Sequence, residues 1–188
     1  MKARAALLAC LLAACGADDG GSTVPDARAL GDAAPDGGGS FTTCTGACRT
    51  TTLTATFGSD TAMFDRAVYG ITTAGATQTL HVEAYSGGDP GCPTEQSATP
   101  DYTAILGQVV VPTDTTPSSS PGNLLDFTGD LLDGPLGAAA TMVTVTPGAA
   151  DPAANPAFVA LEVSMTFAAG TISGHVFATH CASLDESQ

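Results

Sequence analysis

The chain has 188 residues, 19 Asp and Glu against 5 Lys and Arg, a formal charge of -14, and no Trp. That balance repels phosphate backbones and so excludes nucleic-acid binding on long-range electrostatics, while it favours cations and cationic partners. Aromatic residues at 5% leave little for a stacking platform for sugar rings or bases, and the length fits one domain beyond an N-terminal segment.

Lys2 and Arg4 are followed by an apolar run from Ala5 to Ala14. The run is shorter than the roughly 20 residues that span a membrane and has the length of a signal-peptide core. It ends in Leu12-Ala13-Ala14-Cys15. These residues resemble the lipobox of bacterial lipoproteins, a large aliphatic and two small residues before the cysteine that is diacylated. Leu7-Leu8-Ala9-Cys10 repeats the pattern but leaves an apolar core of about five residues, below the roughly 7–15 required. The resemblance implies a signal peptide over 1–14, cleavage before Cys15, and acyl chains such as palmitate on that cysteine that anchor the protein stably to a membrane. Gly16 in second place implies the outer membrane by the sorting pattern of that family. The plain alternative is an ordinary signal peptide with Cys15 incidental. Loss of Lys2 and Arg4 leaves Arg28, Arg49 and Arg66 as the cations, with no lysine.

Residues 15–43 are dominated by Gly, Ala, Asp, Ser and Pro and read as a lipidated, disordered linker. About 25 such residues give an r.m.s. reach of roughly 25–30 Å. The segment 44–188 reads as a β domain. Leu53, Ala55 and Phe57 alternate with Thr52, Thr54 and Thr56, and Leu80, Val82 and Ala84 alternate with His81, Glu83 and Tyr85. The clearest alternation is Val159 to Phe167, turning through Ala168-Ala169-Gly170 into Thr171 to Thr179 as a hairpin. Weaker strands are expected at 67–73, 102–111, 124–128 and 141–146, with turn clusters between them, Pro147 to Pro156 included. No stretch sustains a helical period. About eight strands predict an all-β fold, an antiparallel β-sandwich or partly closed barrel.

Cys44, Cys48, Cys92 and Cys181 are an even set in an exported chain and predict two disulfides. Pairing of the first and last strands would bring Cys181 to Cys44 or Cys48, leaving the other for Cys92. A bridge closing over 100 residues contributes about 4–5 kcal/mol in the loop-entropy model. The rival is copper binding by Cys44-Thr45-Gly46-Ala47-Cys48, but the histidine and methionine such sites need are missing nearby.

His81, Glu83 and Tyr85 share one strand face, so a base, an acid and a hydroxyl could meet in a cleft; any solvated sheet face has the same composition. His175 and His180 fall on opposite faces, against a two-histidine metal site. Ser173 stands in Gly-Thr-Ile-Ser-Gly, which is not a nucleophile elbow. Asp126, Asp130 and Asp133 gather in one glycine-bearing loop, and Asp60 and Asp65 flank another turn; both could serve a structural calcium ion or simply form turns. The expected function is a lipid-anchored envelope protein whose β domain is a non-enzymatic binding or interaction module for an envelope protein or cationic ligand. The alternatives are a hydrolase built on His81, Glu83 and Tyr85, and a purely structural envelope lipoprotein.

Overall fold

The computed structural model describes residues 41–134 and 136–187, so Cys15, the lipobox and nearly all of the linker lie outside the described residues. The described chain is all β. Its strands are β1 (Thr52–Phe57), β2 (Asp60–Phe64), β3 (Arg66–Ala74), β4 (Thr77–Ser86), β5 (Tyr102–Val110), β6 (Ser118–Ser119), β7 (Gly122–Asp126), β8 (Gly137–Ala139), β9 (Met142–Asp151), β10 (Phe158–Thr166), β11 (Gly170–His180) and β12 (Glu186–Ser187). Twelve strands thus replace the expected eight or so, in a single curled, open sheet whose main path runs β6-β9-β10-β11-β3-β4-β5-β7-β8.

The alternating patterns account for its centre. Leu161, Val163 and Met165 of β10 are buried while Glu162 and Ser164 are exposed, and Ile172, Val176 and Ala178 of β11 face the same core. Leu53, Ala55 and Phe57 from β1, Leu80 and Val82 from β4, Leu124 from β7 and Val145 from β9 complete that core. Cutting Leu161 to Ala there would cost about 2–5 kcal/mol.

Three expectations change. Asp60 opens strand β2 and Asp65 follows it, so a strand and not a turn lies between them; Ala62 and Phe64 alternate inward from it and β2 pairs with β1. The Pro147 cluster does not end β9: the register shifts between Ala160 and Leu161, and the strand continues to Asp151. A bulge takes up the extra residue, and it is one of the few places a sheet admits proline. The disulfides join Cys44 to Cys48 and Cys92 to Cys181, with Cα atoms 5.4 and 5.5 Å apart.

The register explains that pairing. β1 does pair antiparallel with β11, but Thr52 stands opposite His175. The last residues of β11 run past β1 and pair in parallel with β3, His180 beside Tyr69. Cys181 is therefore delivered to the β3 side, where the loop after β4 presents Cys92. A bridge across this sequence separation of 89 contributes about 4–5 kcal/mol in the loop-entropy model.

Beyond Cys181 the chain forms a strap over the face of β3 opposite the main core. Its 3-10 turn, Ala182–Leu184, packs Leu184 against Val68, Tyr85 and Cys181. Gly70 permits the approach, since a Cβ there would overlap the Leu184 backbone. The Ile71 N–H donates to Asp185 Oδ1 at 2.8 Å, and β12 then rejoins β3 with Glu186 beside Thr72.

Candidate functional site

β4 carries His81, Glu83 and Tyr85 on its strap-facing side because alternate residues of a strand share a face. The structure brings all three into hydrogen-bond contact. His81 Nε2–H donates to Glu83 Oε1 at 2.8 Å, and the Tyr85 hydroxyl donates to Glu83 Oε2. The row continues sideways: Arg66, opposite Tyr85 in the β3–β4 register, sets its guanidinium 4.6 Å from the Tyr85 ring centroid.

This row sets the charges. The hydrogen bond to Glu83 raises the His81 pKa against the opposing effect of burial, with the negative charges of Glu83 and Glu186 adding to the rise. Burial would push Glu83 up, but the hydrogen bonds from His81 and Tyr85 hold it below the usual carboxylate value. Burial and the bond to Glu83 push the Tyr85 phenol well above its ordinary value. The arrangement is a histidine oriented by a carboxylate, with a phenol locked as a donor to the same carboxylate.

His81 opens onto a groove of about 340 Å³ lined by Thr72, Thr77, Thr79, Gly107, Gln108 and Glu186 among others. A β-bulge shapes one wall. Leu80 pairs with Val109 and Val82 with Leu106, so Gly107 and Gln108 together oppose the single His81, and Gln108 takes a φ of 53°. Bulges and left-handed non-glycine residues of this kind re-aim side chains and cluster beside functional sites. The other wall is β12, through Glu186. Sequence reasoning placed His81, Glu83 and Tyr85 on one face, yet missed both walls. A glycine interrupting the apolar pattern of β5 was the available signal for the bulge; a two-residue strand at the chain's end left none for Glu186.

The remaining candidates are dispersed. His175 bonds Glu162 Oε1 at 2.7 Å through Nδ1 and accepts no shared partner with His180, which bonds Asp185 at 3.0 Å. Ser173 lies in mid-strand opposite Thr54 and Ser164. Cys44 and Cys48 are closed as a disulfide and so offer no thiolate pair for copper. Among the described residues no three His, Cys, Asp or Glu side chains are grouped to hold a metal ion.

Asp126 is 2% exposed. Its Oδ1 accepts from the Thr128 N–H and hydroxyl and the Gly129 N–H, and its Oδ2 from the Leu131 and Leu132 N–H groups, all within 3.1 Å. Burial acts to raise its pKa, but these bonds outweigh it and hold the carboxyl below its ordinary value. Asp130 and Asp133 are exposed on the same loop. No family model, curated protein or solved structure matches the chain.

Proposed function

We propose that the protein is a membrane-anchored binding module of the cell envelope, held in the outer membrane by lipid on Cys15, with the His81 groove as its ligand site. The observation that carries this reading is the groove itself. It is walled by threonines, a bulge and Glu186, and it exposes His81, whose ring is bonded to Glu83. The Glu186 carboxylate and the threonines around one opening suit a cationic ligand, as does the acidic balance of the chain. A finer arrangement of the curled sheet as an antiparallel β-sandwich or partly closed barrel belongs to this proposal too, since such scaffolds present loops as binding surfaces.

Two measurements test it. In cells fed a clickable palmitate analogue, the full chain is expected to carry the label and to fractionate with membranes, and Cys15→Ser to do neither; an unlabelled, freely soluble wild type contradicts the anchor. Titration with trilysine, followed by calorimetry, is expected to show saturable binding that Glu186→Gln weakens. Absence of saturation, or binding indifferent to Glu186, contradicts a cationic ligand in the groove.

A second reading has one observation in its favour. His81 is oriented by Glu83 at the mouth of a groove, as a general base acting on water would be. No hydroxyl of the groove is hydrogen-bonded to it among the described residues, so a hydrolase here would use water directly. Hydrolysis of a chromogenic ester panel abolished by His81→Ala would favour this reading over simple binding.

A further inference from the structure

Arg49 and Arg66 are the only Lys or Arg side chains among the described residues, and both line one open cavity of about 240 Å³ on the outer side of β11 and β3. On a surface so rich in carboxylates, an arginine has many potential acidic partners. Neither takes one: the ion pairs among the described residues all join a histidine to an acid. Each guanidinium instead lies over a ring, Arg49 with its carbon 5.5 Å from the Phe177 centroid and Arg66 with its carbon 4.6 Å from that of Tyr85. Stacking of this kind fixes a guanidinium while leaving its in-plane N–H donors available. Arg66 uses one of its donors on the Gly87 carbonyl at 2.6 Å, and a guanidinium has five. Thr50 and Thr179 bring hydroxyls to the same cavity, and Asp65 is its one carboxylate.

We infer that this cavity is a binding site for a phosphate group, held between the Arg49 and Arg66 guanidiniums with the Thr50 and Thr179 hydroxyls as further donors. Two arginine forks and two hydroxyls offer more donors than the two oxygens of a carboxylate accept, and a tetrahedral phosphate can use them. Asp65 works against the bound charge and keeps the site weak. The cavity shares no lining residue with the His81 groove, and the proposal does not depend on a ligand there. The group could be free phosphate or the headgroup of a phospholipid.

The test is titration of the full chain with inorganic phosphate, following amide shifts at Thr50 and Thr179 by NMR. Saturable shifts are expected, weakened about tenfold or more in Arg49→Gln and in Arg66→Gln and tightened in Asp65→Asn. A parallel arm uses the Cys15→Ser chain with phosphatidylglycerol and phosphatidylcholine vesicles. Arginine-dependent retention on vesicles assigns the headgroup, and phosphate binding without retention assigns the free ion; either supports the site. Shifts that do not saturate, or that both arginine variants leave unchanged, overturn it. Should the arginine variants unfold, Asp65→Asn decides alone, and a failure to tighten phosphate binding overturns the proposal.

Discussion

Two carboxylates, the buried Asp126 and the half-buried Glu83, are held by different kinds of donor. Asp126 is surrounded by backbone and side-chain donors from residues 128–132 of its own loop. Glu83 is held by His81 and Tyr85, side chains that can titrate or turn, and its side chain remains 17% exposed beside a groove. The difference teaches that local amides fix a carboxylate as part of the backbone's own structure, whereas neighbouring side chains couple its charge to groups that can titrate.

The largest effect should come from removing the structural member. Asp126→Ala leaves several inward N–H groups without an acceptor and should destabilise the domain by about 3 kcal/mol or more, read by urea unfolding. Glu83→Gln keeps a hydrogen-bonding side chain and should cost about 1–2 kcal/mol. A reversed order would break the distinction.

The pH dependence should separate them next. Asp126 and Glu83 both have depressed pKa values, so their contribution is present above the ordinary carboxylate range and lost as pH falls through the depressed values. His81 is raised, so its contribution is complete below the ordinary histidine pKa and lost as pH climbs through the raised one. In thermal melts, Asp126→Asn should flatten only the acid limb of stability. His81→Gln should flatten the alkaline limb, and it should weaken the acid limb only to the extent that Glu83 loses its partner. The smallest effect is expected from calcium: with both Asp126 oxygens already engaged, adding the ion or a chelator should leave the melting midpoint unmoved, and a clear shift would mean the loop reorganises around a metal.

The comparison also marks what was legible in the sequence. Alternation alone placed His81, Glu83 and Tyr85 on one face, and the same period found β1, β4, β10 and β11, because strands half-buried on one side must alternate. The three aspartates of the 126–133 loop were legible as a cluster but not by role, since a carboxylate facing a metal and one facing its own backbone have the same local composition. β2 was hidden by its opening Asp60 and its brevity, and β9 by Pro147, whose tolerance depends on a bulge set by the partner strand. The disulfides required knowing that β11 outruns β1 and continues along β3, a register that no single segment encodes. Glu186 entered the groove only because the strap carries it there.

The central claim is that Glu83 is held as a charge paired with His81, and the most direct test is the pH titration of the His81 ring by NMR in the wild type and in Glu83→Gln. A raised histidine pKa that returns toward the ordinary value in Glu83→Gln, and stays raised in Asp126→Asn, is the predicted result. A wild-type His81 with no elevation, or one that Glu83→Gln leaves unchanged, would contradict the account.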